Sequence, residues 1–198
     1  MRLDLLGSAG VSSDCYYTKG AFMGIYQDQI RGFAKYNCEF NLSLFKLVAT
    51  LSDKERNRDM GAFFGSIQGT LDHILLGDRI WLGRFAVAMP ELESLKGADL
   101  IYEFSSLRQQ VCSDFESLFR ERQATDEVIS DWAHELTEAG LARTMSYRNS
   151  AGQQREHPVW LAVTHMFNHQ THHRGQVTTL LHQLGHDSGV TDYLAYLY

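Results

Sequence analysis

Between Ala21 and about Leu51, the residues Phe22, Ile25, Tyr26, Ile30, Phe33, Tyr36, Phe40, Leu44 and Leu47 recur at helical spacing with no proline among them. Such a run carries one apolar stripe. It is stable only when that stripe is buried against another element, so the chain is committed to packed helices. The pattern then repeats. Leu51-Ser52-Asp53-Lys54 reads as a stop followed by a new cap. A second helical stretch runs from about Met60 to Ala88 and ends before Pro90, whose ring disfavours helix at the preceding residue. A third is predicted from about Ala98 to Arg122, with Leu100, Phe104, Leu107, Val111, Phe115, Leu118 and Phe119 as its stripe.

The segment from Leu141 to His157 breaks the pattern. Weak alternation up to Arg148, a turn at Asn149-Ser150-Ala151-Gly152 and the polar run from Gln153 predict a small hairpin. Pro158 suits the first turn of a final long helix that reaches about Leu184 and stops at Gly185. The apolar tail from Asp192 to Tyr198 is expected to dock back on the body. Residues 1–19, mixed and rich in Gly and Ser, read as an N-terminal arm, and residues 20–198 as one domain. The expected fold class is all-α: a four-helix bundle with a small β-hairpin-like insert before the last helix.

Composition removes several function classes. With 18 basic against 24 acidic residues the net charge is −6, which opposes a nucleic-acid binder that works by phosphate neutralisation. No basic recognition helix is present either. No apolar run approaches the ~18 residues that a membrane span needs, and the apolar opening after Arg2 is too short for a secretion signal. Cys15, Cys38 and Cys112 are odd in number and form no Cys-x-x-Cys, so free thiols and a cytoplasmic setting are expected.

The histidines carry the chemistry. Of the 9 in the chain, His165, His169, His172, His173 and His182 fall on the predicted last helix. On a wheel of about 100° per residue, Ala162, Met166, Val177, Leu180 and Leu184 mark the inward arc. His173 lies inside it and His169 at its edge, so this i,i+4 pair can converge on one ion. His165 and His172 lie farther out, and His182 points to solvent. His165 and His173 are two turns, roughly 12 Å, apart, too far to share an ion easily. The third ligand should come from another inward helix position, and His73 is the candidate on the second helix. Ser66, Thr70 and Gly77 are its small wheel neighbours. His134 and His157 sit near expected helix ends or loops, and His186 is expected to be exposed. A lone buried histidine is more often a hydrogen-bonded core residue. Two core-facing histidines must both desolvate and would repel when charged, which a shared divalent cation resolves.

At Gly65-Ser66-Ile67, Leu71-Asp72-His73-Ile74, Asp78-Arg79-Ile80-Trp81 and Asn168-His169-Gln170-Thr171-His172-His173-Arg174-Gly175-Gln176, the sequence resembles the DinB/YfiT-like family of helical-bundle metalloproteins. The family is structurally unrelated to the translesion polymerase that shares part of its name. The resemblance runs from about Tyr26 to the tail containing Asp192. It implies a divalent metal, zinc or nickel, held by three histidines, and the matching positions are His73, His169 and His173. It also implies a homodimer. Trp160 and Phe167, on one stripe of the last helix, suit either such a partner surface or packing within the chain. Some members transfer groups to or from low-molecular-weight thiols, and one branch isomerises maleylpyruvate with a thiol cofactor.

Three neutral imidazoles leave a coordination position open, as catalytic sites do. The expected function is therefore a metal-dependent hydrolase or thiol S-transferase acting on a small molecule. The alternative is a non-catalytic, metal-stabilised, stress-related module. His134-Glu135 is followed by Glu138, so the zinc-protease string His-Glu-x-x-His is absent. Asp131-Trp-Ala-His134 is a lone imperfect match to the paired motifs of a di-iron bundle. Asp78 and Arg174 are expected to form a buried pair, more structural than catalytic. Gln176 is expected to orient a ligand or a bound water. Metal affinity should fall as pH drops below about 6.5, where free imidazole takes up a proton.

Overall fold

The structure, a computed structural model, describes residues 24–198. The proposed arm and Phe22 lie outside the described residues. In chain order the elements are α1 (Ile25–Ala49), α2 (Asp53–Arg56), α3 (Ile67–Ala88), α4 (Phe115–Glu135), α5 (Glu138–Ala142), β1 (Thr144–Arg148), β2 (Gln154–Pro158) and α6 (Val159–Gln183). The fold is all-α with a small antiparallel sheet before the last helix, as the patterning predicts. In the bundle, α1 packs chiefly on α4 and α3 on α6. No described helix is long and apolar enough to cross a membrane.

Local chemistry sets the boundaries. Ser52 and Glu55 form a capping box that opens α2: the Ser52 hydroxyl accepts from Glu55 N–H and the Glu55 carboxylate from Ser52 N–H. The second long helix starts at Ile67, later than the Met60 that periodicity predicts. Gly65 has φ +78°, a turn conformation that blocks helix upstream, and Ser66 Oγ then caps Gly69 N–H at 3.0 Å.

The third helix corrects the sequence reading most. It spans Phe115–Glu135 and not 98–122, starting where the Asp114 carboxylate accepts from Ser117 N–H at 2.8 Å. Residues before it are irregular because their backbone donors are taken elsewhere. Ser105 N–H goes to Gln109 Oε1, and Val111 and Cys112 N–H go to the buried Asp72 carboxylate at 2.9 and 3.1 Å. The apolar side chains of this segment serve another surface, with Phe104 and Leu107 lining a cleft.

The hairpin pairs Thr144 with Pro158 through Arg148 with Gln154 around the Asn149–Gly152 turn. Pro158 ends β2 and caps α6 from outside, so it precedes the helix it was expected to open. Gly185, at φ +85°, ends that helix, and His186 is half-buried rather than exposed. The tail docks as expected: Tyr193 packs on Phe33 and Tyr36, and Tyr196 on Tyr36 and Phe40. Of the two aromatics on the outer stripe of α6, Phe167 is buried against Phe33 of this chain, while Trp160 stays 43% exposed beside Tyr26.

The core is two apolar clusters, one around Phe85, Trp132 and Met166, the other around Phe45, Leu75 and Leu181. A buried polar layer lies between them, with contributions from all four long helices. Arg122 donates to Asp78 at 2.5 Å and pairs with Asp126 at 2.9 Å. Asn37 and Asn41 donate to Asp126, and their amide oxygens accept from Arg174. The expected Asp78–Arg174 pair is thus not a direct bond. Asp78 is bonded to Arg122, an arginine that also reaches Asp126, and Arg174 is held by the two asparagines.

Candidate metal centre

His73 comes from α3, and His169 and His173 from successive turns of α6. Their rings meet: one nitrogen from each lies within 4.8 Å of the others. His73 and His173 are 5% and 8% exposed, and His169 is half-buried. Gly77 makes the approach possible, because a Cβ there would sit 2.8 Å from His169 Cε1. Of the small wheel neighbours of His73, Gly77 leaves this room directly, whereas Ser66 is used as the cap of α3.

Hydrogen bonds fix which nitrogens face inward. His73 Nδ1 lies 2.9 Å from the Leu107 carbonyl, which can only accept, so Nδ1 carries the proton and the Nε2 lone pair turns to the centre. His173 Nδ1 donates to Gln176 Oε1 at 2.8 Å, and the Gln176 amide donates to His172 Nε2 at 3.2 Å, which holds the amide orientation. Gln176 therefore orients His173, although the helix wheel places it closer to His169. His169 Nδ1 is buried with no partner, while its Nε2 is 3.1 Å from His73 Nε2. Two nitrogens bound to one zinc at tetrahedral angles stand about 3.3 Å apart. The donor set thus fits a divalent cation: three neutral imidazoles, with two Nε2 lone pairs exposed by their outer hydrogen bonds. Phe64 stacks on His73 with ring centroids 3.8 Å apart and meets His173 edge-on, walling off one side.

The remaining histidines stay out of this cluster. His165 is exposed with its ring against Trp81, His172 is exposed, and His134 bonds back to the Ser130 carbonyl. His157 bonds Tyr147 on the hairpin, and His182 is exposed. Sequence reasoning missed three contributors: the stacked Phe64, the Leu107 carbonyl, and Asp72, which anchors the 107–112 segment that carries that carbonyl. The position of Asp72 beside His73 was the available signal.

Burial pushes the imidazoles toward their neutral forms. His73 is lowered to about 4 and His169 to about 3, in both cases mainly by desolvation, and His173 is lowered for the same reason. This shifts the expected acid loss of metal affinity below the ordinary imidazole range. Three rings titrating at about 6.5 would lose about 50-fold in affinity between about pH 7.5 and pH 6. Here the loss over that interval should stay under about four-fold, because at most His173 contributes. Chelator-competition titrations at the two pH values check this, and a fifty-fold loss would contradict it.

The cluster opens on a cleft of about 940 Å³ between α3, α6, the hairpin and the 98–114 segment. Trp81, Phe104, Leu107 and Leu161 give it apolar walls, and Tyr147, Asn149 and Ser150 come from the hairpin. A small molecule therefore has access to the histidine nitrogens from one side.

Comparison with known proteins agrees with this architecture. The family model described as "DinB family" matches residues 26–198. "Protein DinB" of Bacillus subtilis (strain 168) is 24% identical over 164 residues, covering 83% of this chain and 91% of that protein. No solved structure gives a significant match. A helical bundle that brings three histidines to one cleft, and a family model that matches it from Tyr26 to the last residue, lead to one conclusion: the chain belongs to the DinB family.

Proposed function

We propose that His73, His169 and His173 hold a divalent metal, zinc or nickel, and that the protein is a thiol S-transferase acting on a small molecule. The observation that carries the metal is the tautomer arrangement: outer hydrogen bonds to Leu107 and Gln176 leave lone pairs of His73 and His173 facing one point, beside an unpartnered His169. Imidazole suits both metals. When bound, such a cation would lower the pKa of a thiol that ligates it.

The cleft suits thiol transfer. It is lined by no Asp or Glu, only by the non-ligand histidines His157, His165 and His172 as bases, and a thiol needs no strong base because it reacts as the thiolate. In the reaction its proton goes to solvent, its sulfur forms a bond to an electrophilic carbon, and the leaving group departs with its electron pair. The chain's own part is to hold the three nitrogens, to exclude water on the Phe64 side, and to present apolar walls to the electrophile.

Cobalt-substituted protein titrated with 2-mercaptoethanol tests this. A thiolate-to-cobalt absorption band, together with faster conjugation of that thiol to monochlorobimane than in buffer, is expected. Tight metal binding with neither signal would favour the non-catalytic module instead.

A further inference from the structure

The wall of the cleft is unusual for this chain. The protein carries 24 acidic residues and a net charge of −6, yet the residues around the cleft include no carboxylate, one arginine and six histidines. The arginine is Arg84, on α3 beyond Trp81. Its guanidinium sits in the corner where Trp81 and Tyr147 meet edge-on with centroids 5.2 Å apart, 4.6 Å from the centroid of Trp81 and 4.2 Å from that of Tyr147. It makes one hydrogen bond, to the Arg148 carbonyl at 3.2 Å, and among the described residues no carboxylate pairs with it. The three buried arginines of the bundle each have an acid or an amide oxygen: Arg79 has Asp99 and Glu121, Arg122 has Asp78 and Asp126, Arg174 has two asparagines. Contact with both rings positions the guanidinium, and the donors not bonded to the Arg148 carbonyl are left for a planar anion.

We propose that Arg84 is a specificity residue that binds a carboxylate on the substrate. The proposal deepens the thiol-transferase reading and shares its cleft. One guanidinium, with no lysine on the wall, matches a singly charged carboxylate better than a phosphate dianion. The span follows from the helix. The guanidinium sits at the level of Trp81, one turn beyond Gly77, on which the His169 ring rests, so it is displaced by about 6 Å along the α3 axis. The favoured ligand is therefore a thiol, or an acceptor of one, whose carboxylate lies several bonds from the group at the histidines. The hairpin takes part because Tyr147 forms one side of the corner in which the guanidinium sits.

The probes are 6-mercaptohexanoate and 6-mercaptohexan-1-ol, alike in length and thiol and differing in charge. Calorimetric titration into zinc-loaded protein should show the carboxylate at least ten-fold tighter. Arg84→Met should reduce that preference to under two-fold and leave the alcohol's affinity unchanged, which also reports that the variant is folded. Arg84→Lys should keep part of the preference. Equal affinity of the two probes in the unaltered protein, or a preference that survives in Arg84→Met, overturns the proposal. The metal reading fails separately, by binding of either thiol that does not depend on zinc. In that case hexanoate against hexanol, titrated into metal-free protein, still decides the carboxylate claim by the same Arg84→Met comparison.

Discussion

His169→Ala is expected to lower the affinity for zinc by about 100- to 1,000-fold, since three ligands share a total of at least about 10 kcal/mol at such sites. The same change should do little harm to the metal-free fold. His169 is half-buried with Nδ1 unpartnered, so alanine removes a desolvated polar group as well as some packing. The readout is therefore a difference. Zinc at 100 times its dissociation constant adds about 2.7 kcal/mol to a protein that binds it only when folded. In a chain of this size that raises Tm by roughly 5–10 °C. Thermal scans with and without zinc should show this rise in the unaltered protein and its loss in His169→Ala. Equal rises in both would mean that zinc binds elsewhere.

The second large effect lies behind the histidines. Arg122, 1% exposed, bridges the buried carboxylates of Asp78 and Asp126. Arg122→Met keeps much of the volume but leaves two buried acids without the counter-ion bonded to them, which costs about 3–5 kcal/mol and lowers Tm by roughly 6–20 °C. The loss has a pH signature. Burial already pushes both carboxyls up from their ordinary range against the pull of Arg122. Without the arginine they rise further, so the folded variant binds more protons than its unfolded chain, and its stability improves as pH falls. The deficit against the unaltered protein should shrink between about pH 8 and pH 5 in urea titrations. A deficit equal at both would assign the effect to packing alone.

Much of this architecture is legible in the residues because helices and ligands obey the same periodicity. The stripe of α1, the hairpin turn at Asn149 and the inward pairing of His169 with His173 all follow from spacing. The largest failures share a cause: polar groups satisfied by partners distant in sequence. The 98–114 segment carries a helical stripe, but Asp72, some 40 residues away, takes the backbone donors of Val111 and Cys112, and Phe104 and Leu107 face the cleft. The polar layer hid for a similar reason. Asn37 with Asn41, and Arg122 with Asp126, are i,i+4 pairs on otherwise apolar stripes, which is a readable signal. Their assembly across four helices is not readable, and it is why Arg174 turns to asparagines and away from direct bonding with Asp78.

X-ray absorption at the zinc edge of loaded, untagged protein tests the central assignment most directly. Three imidazole nitrogens at about 2.0–2.1 Å, one of them lost in His73→Ala, are the predicted result. A first shell dominated by sulfur at about 2.3 Å with no thiol added, or a nitrogen count unaffected by His73→Ala, would contradict it.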